Sequence, residues 1–484
     1  MKYILNDTIG LRSWKQLSCA YIRKGAKRVG KLSKRDFELL LKCDGKMQIE
    51  ESDALNVLIK KGLCRKSLND EQLSDWQMLK TYDNIYYSSL NIRITGKCNF
   101  NCKHCFNAAD INRDTSEWSM SEIIKLLDEA KECGIHSIIL TGGEPTLHPH
   151  FIDIIKEIYA RDMWLDTVLT NAYFITQELL DEMHAQGAYP TFHISFDGLG
   201  CHDWMRDQKG AEKTALEKIK LCHDNGHRIV INCQLNNVTQ NSILKTAKHL
   251  DEMGVDTFRI IRTTETPRWE SFGGKAFISI EDYFDKCVDF IREYAKEEHT
   301  MGVICWELAK FSVKNKVFLP NALKCSAKSF DEFRALCPTC RFEPALGANG
   351  DLYPCHQCSG FLDSIGKKMP NVKKEGLKKA LENKDYLAMA QENAYDLASK
   401  SDECGSCPHF KQCLGGCRYV AFSLSKSISA PDSCQCAFFK GDYENKLKSA
   451  LPDWRMAFEQ EEAEYTPTDF TDLVKIGTCD AEMG

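Results

Sequence analysis

The sequence predicts an α/β protein built on a partial, open parallel barrel of six strand–helix units. A small N-terminal unit precedes it and a cysteine-rich region follows. Three observations carry this reading. Residues 86–265 alternate six short β-rich runs with helical stretches, and such alternation requires a parallel sheet with crossover helices. Six units fall short of the eight that close a full barrel. The 24 cysteines are unevenly spread, with three in Cys98–Cys105 and eleven in Cys325–Cys436.

The chain has 484 residues, 43% hydrophobic and 27% charged, an ordinary globular composition. At roughly 100–200 residues per domain, that length suggests two to four domains. No run of about 18 apolar residues occurs, which argues against a membrane span. The start, MKYILNDTIGLRSWKQ, is too short in apolar residues for a signal peptide. A net charge of −6 argues against a nucleic-acid binder. A long chain without a signal suggests a reducing cytoplasm, where clustered cysteines bind metal rather than form disulfides. Most of the ten cysteines outside the two groups read as small core residues.

Residues 1–85 form the first unit. LSKRDFELLLKCDGKM and ALNVLIKKGLCRKS read as two amphipathic helices, with a turn at Asp44-Gly45 and a stop at Gly62. This predicts a small helical or winged-helix-like unit, or a cap on the main domain. Residues 1–45 hold 11 Lys and Arg against 4 Asp and Glu, a bias suited to an acidic partner.

The six strands of 86–265 are expected at LNIRIT (90–95), SIILT (137–141), DTVLT (166–170), FHISF (192–196), IVINCQ (229–234) and FRIIR (258–262). Several intervening helices end at a glycine, a common route into the next strand. Residues 266–324 read as a helical bridge. Residues 325–440 are the cysteine-dense region, with a charged helical insertion at 371–400. The tail, 441–484, turns acidic and then threonine-rich, and reads as a docking segment or as partly disordered.

Directly after the first strand comes Cys98-Asn-Phe-Asn-Cys102-Lys-His-Cys105. Three thiolates on a short loop suit three irons of a 4Fe–4S cluster and leave the fourth iron open, since such clusters ordinarily take four cysteines. The alternative is zinc, with His104 as a poorly placed fourth ligand. After the second strand comes Thr141-Gly142-Gly143-Glu144-Pro145. Its glycines allow close approach to the backbone, and its glutamate can accept from an amine. Thr170-Asn171 and Ser195-Phe196-Asp197-Gly198 also fall at strand C-termini, the end at which α/β barrels carry function.

This combination over 86–265 resembles the radical S-adenosylmethionine superfamily. The resemblance implies that Cys98, Cys102 and Cys105 hold a cluster whose fourth iron chelates the methionine amino and carboxylate groups. It assigns the methionine amine to Gly142, Gly143 and Glu144. Ser195, Arg206 and Gln234 match positions toward the methionine or ribose end. The bland readings are a strand-end cap for Ser195, a surface ion pair for Arg206 and a turn former for Asp197. His104 departs from the usual aromatic residue before the third cysteine.

A third constellation runs Cys340-x9-Gly350-x4-Cys355, then Cys404-x2-Cys407-x5-Cys413-x3-Cys417-x16-Cys434. It resembles the seven-cysteine SPASM extension of peptide-modifying radical enzymes. Two auxiliary 4Fe–4S clusters are implied, making three in all. The family pattern gives Cys404, Cys407, Cys413 and Cys434 to an outer cluster, and Cys340, Cys355 and Cys417 to an inner one. Cys337 is the candidate to complete the inner set, with Cys325 and Cys358 as competitors. Without any of them, an open iron would be available to a substrate thiolate. Cys436 is not expected to be a ligand. A zinc ribbon at Cys404-x2-Cys407 is the bland alternative.

In that light, residues 1–85 resemble the precursor-recognition domain of ribosomal peptide modification systems, whose reference example is the pyrroloquinoline quinone chaperone. Such domains hold a leader peptide by strand addition, and Lys24, Lys27, Arg28 and Lys31 would favour an acidic leader. The resemblance implies reductive cleavage of S-adenosylmethionine to a 5′-deoxyadenosyl radical, with flavodoxin or ferredoxin as a suitable electron donor. The radical takes hydrogen from a peptide carbon. Bonding of a cysteine sulfur to that carbon returns one electron to the inner cluster. No general base is identified, and Glu265, Asp203 and His202 stay unranked.

The expected protein is therefore a maturase that forms thioether crosslinks in a ribosomal precursor peptide, in the cytoplasm of an anaerobe because such clusters are oxygen-labile. The alternatives are a carbon–carbon crosslinking maturase, a sulfatase-maturing formylglycine enzyme, a peptide epimerase and a scaffold without turnover. Neither nucleic acid nor membrane is expected as a partner.

Overall fold

The computed structural model describes residues 1–68, 71–105, 114–273, 276–324, 330–333, 335–359, 362, 366–425 and 427–457. The N-terminal block carries more strand than its sequence suggested. β1 (Lys2–Leu5), β2 (Ile9–Trp14), β3 (Leu17–Arg23) and β4 (Val29–Lys31) precede α1 (Lys34–Leu41). Then come β5 (Asp44–Gln48), α2 (Asp53–Lys60), β6 (Cys64–Lys66) and β7 (Lys80–Thr81). They form two small sheets, ordered β5-β1-β6 and β4-β3-β2-β7. Both expected helices are present. Ser33 caps α1 by accepting from Asp36 N, and Ser52 caps α2 by accepting from Leu55 N. Leu40, Leu55 and Leu58 face a core shared with Leu5 and Leu11. The block is fastened to the main domain where Trp14 Nε1 donates to the Cys133 carbonyl at 3.3 Å.

The six expected strands are all present: β8 (Leu90–Thr95), β9 (Ser137–Gly142), β10 (Trp164–Thr170), β11 (Thr191–Ser195), β12 (Ile229–Leu235) and β13 (Thr257–Arg262). They lie side by side in chain order, and each neighbouring pair is parallel. The crossovers are α3 (Met120–Glu132), α4 (Phe151–Tyr159), α5 (Gln177–Ala185), α6 (His202–Arg206) with α7 (Ala211–Asp224), and α8 (Ile243–Glu252). Gly134, Gly187, Gly226 and Gly254 follow four of these helices at positive φ, the left-handed turn that releases a chain into the next strand. Leu90, Ile92 and Ile94 join Ile123, Leu126 and Leu127 of α3 in the main core.

The bridge expected at 266–324 is helical only in its first half. α9 (Pro267–Gly273) and α10 (Ile280–Tyr294) are followed by β14 (Gly302–Cys305), β15 (Ala309–Ser312) and β16 (Val317–Pro320). β14 pairs parallel to β13, and β15 and β16 continue antiparallel. Four-residue apolar runs such as 302–305 show neither period clearly, which is why the sequence did not separate strand from helix there. After α11 (Pro338–Phe342), β17 (Ala345–Leu346) pairs with β8, β18 (Leu352–Tyr353) turns back on it, and β19 (Arg455–Met456) closes the far edge beside β16. The result is one sheet of 12 strands. The insertion at 371–400 is helical, in four short pieces from Val372 to Lys400. No helix among the described residues is long and apolar enough to cross a membrane. The first part of the tail, 441–457, is ordered as a helix, Tyr443–Ala450, that buries Tyr443 and Leu447, followed by β19, and the rest, 458–484, lies outside the described residues.

Candidate active site

The first strand delivers Cys98, Cys102 and Cys105 at its C-terminal end. Cys102 is buried, and the other two are half-buried around Phe100 and Ala211. The loop is held from several directions. Phe100 N donates to Cys98 Sγ at 3.4 Å, and Asn171 Nδ2 lies 4.0 Å from that sulfur and 2.8 Å from Asn99 Oδ1. Arg268 of α9 donates through Nε to the Cys102 carbonyl at 2.9 Å and through Nη2 to Asn101. Donors aimed at a sulfur favour its thiolate, the form that binds iron.

The Gly-Gly pair exists to let two strand ends meet. A Cβ on Gly143 would lie 2.3 Å from the Lys97 carbonyl, and one on Gly142 would lie 2.7 Å from the Thr95 carbonyl. In their absence Gly143 N donates to Thr95 at 2.7 Å and Glu144 N to Lys97 at 2.8 Å. Glu144 is fully buried. Its carboxylate accepts from Thr146 N and Oγ1, from Thr170 Oγ1 at 2.6 Å and from Asn171 N at 2.7 Å. Burial pushes its carboxyl up, and these donors oppose the rise. Four donors fill most of what a carboxylate accepts. Glu144 therefore braces β9 against β10.

Asp197 and Arg206 are a buried pair. Arg206 Nε and Nη2 donate to the two Asp197 oxygens at 2.7 and 3.1 Å, and Nη1 reaches Cys102 Sγ at 3.7 Å. Arg206 is 7% exposed and Asp197 0%, so the surface ion pair considered for Arg206 is ruled out. Burial opposes the Asp197 charge, yet Arg206 and His202 hold its carboxyl well below the usual range. Gln234 N also donates to Asp197 at 3.1 Å. Ser195 is half-buried at the end of β11, opposite Asn232. Burial and the neighbouring Arg206 push His104 down to about 3, so it is neutral there. Asn171 and Arg268 are the contributors the sequence reading gave no role. Asn171 was visible only as a strand-end residue, and nothing in the sequence ties Arg268 to the loop.

The C-terminal cysteines fall into two groups. Cys340 and Cys355 each neighbour both Cys337 and Cys358, and the Cys355 and Cys358 sulfurs are 3.4 Å apart. Cys417 lies beside Cys337, Cys355 and Cys358. Cys337 and Cys358, weighed as competitors in the sequence, thus sit together, and Cys325 lies outside the described residues. A thiol hydrogen bond from Cys340 holds Cys337 down to about 7.

Cys404, Cys407 and Cys413 form the second group. Between Cys413 and Cys417 the chain runs through Leu414, Gly415 and Gly416, all at positive φ. This left-handed stretch moves the chain from one group to the other. A Cβ on Gly415 would meet Leu397 at 2.2 Å, and one on Gly416 would meet Asp432 at 2.4 Å. Asp432 accepts from Cys417 N at 2.7 Å and from Cys434 N at 2.8 Å. Cys434, expected in this second group, stands apart in the main core beside Glu307, and Cys436 lies next to Cys404 and Cys407 instead.

The donor sets suit iron–sulfur clusters: thiols in groups of three to five, largely buried, some receiving N–H donors. Among the described residues, no three Cys, His, Asp or Glu side chains converge on a single-ion position. Zinc draws its thiolates to about 2.3 Å from one atom, whereas a cluster takes one thiolate per iron.

Comparison with known proteins agrees with this geometry. Residues 92–250 match the Radical SAM superfamily. The chain is 24% identical over 344 residues to an AdoMet-dependent heme synthase of Methanosarcina barkeri, covering 69% of this chain and 91% of that protein. It is 23% identical over 353 residues to a PqqA peptide cyclase of Bradyrhizobium diazoefficiens, covering 70% and 84%. Among solved structures, Streptococcus suis SuiB bound to precursor peptide SuiA superposes with TM-score 0.60 at 16% identity, over 90% of this chain and 99% of SuiB. Native anSMEcpe with bound AdoMet and a peptide superposes with TM-score 0.56 at 17% identity, over 75% and 98%. At these identities the superpositions establish the fold.

Proposed function

We propose, for a chain that carries a radical SAM domain, that the protein is a peptide maturase joining cysteine sulfur to carbon within a ribosomally made precursor. The observation that carries this reading is the gathering of five thiols, Cys337, Cys340, Cys355, Cys358 and Cys417, into one group separate from the barrel loop. A radical enzyme needs one cluster to start its reaction. A second buried thiol group implies a further redox centre, as oxidative coupling requires. The names of the PqqA peptide cyclase and of SuiB with its precursor peptide support a peptide substrate.

In this reading Cys98, Cys102 and Cys105 hold the first 4Fe–4S cluster. Cys340, Cys355 and Cys417 hold an inner auxiliary cluster, with Cys337 or Cys358 completing it. The first cluster and S-adenosylmethionine together supply a carbon radical that removes a hydrogen atom from substrate. The chain's own residues do the positioning. The Gly142-Gly143 backbone takes the methionine amine, with Glu144 bracing the turn. Arg206 sets its charge beside Cys102 and fixes the loop through Asp197. Ser195 and Gln234 face the methionine or ribose end from β11 and β12. The N-terminal block would hold the leader peptide, and flavodoxin or ferredoxin would supply electrons.

The test is incubation of the anaerobically reconstituted protein with S-adenosylmethionine, a strong reductant and a cysteine-containing peptide encoded beside its gene. Tandem mass spectra should show two hydrogens lost per crosslink and cysteines resistant to alkylation. The same loss with alkylatable cysteines would indicate carbon–carbon crosslinking, the reading a relative named a peptide cyclase keeps open. An unchanged peptide alongside accumulating 5′-deoxyadenosine would point to a non-peptide substrate, in line with a relative named a heme synthase.

A further inference from the structure

The last two cysteines of the motif region, Cys434 and Cys436, sit on one helix, Ser433–Lys440. Residues two apart on a helix are about 200° apart around its axis, so the two thiols leave on opposite sides. One cluster cannot take both without unwinding the turn.

The two sides are clearly distinguished. Cys434, Ala437 and Phe438 are buried in the main core. Cys434 has Glu307, Asp432 and Arg262 as its charged neighbours. The opposite side faces the segment 404–413. Phe439 stacks on His409 there, with centroids 4.2 Å apart and planes 14° apart. Cys436 precedes Phe439 by three residues and so shares its face. It is half-buried, and Cys404 and Cys407 are both among its neighbours. Asp432 fixes this rotation by capping the helix through Cys434 N and Gln435 N.

We infer that Cys436, and not Cys434, is the fourth thiolate of the outer group with Cys404, Cys407 and Cys413. Cys434 is then a packed core thiol that iron does not reach. The inference rests on the auxiliary-cluster reading above. It departs from the spacing rule by two residues, because a helix face decides which of two nearby cysteines meets the loop.

The experiment is anaerobic reconstitution of the full chain and of Cys436→Ala, Cys434→Ala and Cys434→Ser. Iron and sulfide are assayed, and electron paramagnetic resonance spectra are recorded after reduction. Three clusters give about twelve irons per chain, four in each. Cys436→Ala should lose up to about four irons, or convert one resonance to that of a three-iron or open-site cluster. Both Cys434 variants should keep wild-type iron and spectra. Wild-type iron and spectra in Cys436→Ala, or a changed outer-cluster signal in both Cys434 variants, would overturn the assignment. A wild-type chain holding only the four irons of the barrel loop would overturn the auxiliary-cluster reading itself.

Discussion

The barrel mouth and the cysteine-rich region hold the same side chain by different means. At the barrel mouth, parallel strands end together, and loops after β8, β9, β10 and β11 brace one another through Glu144, Asn171 and the Asp197–Arg206 pair. These contacts involve no metal. The segment 394–417 has no comparable frame. Its helices are four to seven residues long, and its small core is Leu336, Ala394, Leu397, Cys404, Phe410 and Leu414. One of those six is itself a proposed iron ligand. A scaffold of repeated units can present a cluster loop before the cluster arrives. A region built around its thiols depends on the metal for much of its order.

The largest effect that would sharpen this contrast is on turnover. Cys102→Ala should reduce 5′-deoxyadenosine formation to the detection limit, while the barrel keeps its far-ultraviolet circular dichroism. Parallel loss of fold would mean the barrel also depends on its cluster. Next is Asp197→Ala, which leaves Arg206 buried without its partner. Breaking a buried pair on one side costs about 3–5 kcal/mol, measurable by urea unfolding of the metal-free chain. The pH dependence has a defined sign. Asp197 is depressed in the folded state, so its contribution is complete above the ordinary Asp range near about 3.9. It is lost as pH falls below that range toward the folded value. Wild type should therefore lose stability more steeply than Asp197→Asn once pH falls below about 4, with no difference in slope between neutral pH and that point.

Metal removal separates the two regions directly. With all iron chelated, limited proteolysis should cut within 394–417 at least about tenfold faster than in the holoprotein, equivalent to about 1.4 kcal/mol of lost local protection. Fragments from 90–262 should appear at the same rate in both. Equal acceleration in both regions would remove the distinction.

The same difference explains what could be read from the sequence. The six strands were legible because each is a β-rich run bounded by a helix and a turn, and the site loops follow from strand ends. The left-handed stretch at Leu414–Gly416 and the Asp432 cap were not legible, since spacing gives an order of cysteines and not the direction of a thiol. Cys434 and Cys436 are the plainest case: two residues of spacing separate them, and helix rotation decides between them. Arg268 was missed because it meets Cys102 from 166 residues away in sequence, and no local pattern marks such a contact. The strands β1 and β2 were missed because short strands buried on both sides lack a clear period.

The smallest effect tests the two glycine turns against each other. Gly143 has no positive φ among the glycines of the chain, and Gly416 does, at +77°. At Gly143 an added Cβ meets the Lys97 carbonyl, part of the backbone that leads to Cys98. At Gly416 it meets the Asp432 side chain and also forces an L-residue into left-handed backbone, which alone costs about 1–2 kcal/mol. Gly143→Ala must displace main chain, so it should lower barrel stability by about 1–3 kcal/mol, the range of overpacking, and reduce loading of the first cluster. Gly416→Ala should leave urea unfolding of the metal-free barrel within about 0.5 kcal/mol of wild type. Its deficit should appear only with iron present, as fewer irons per chain and an altered resonance from the C-terminal groups. If Gly416→Ala instead destabilises the metal-free barrel as much as Gly143→Ala does, the cysteine-rich region is part of the barrel's own frame, and the contrast between the two regions fails.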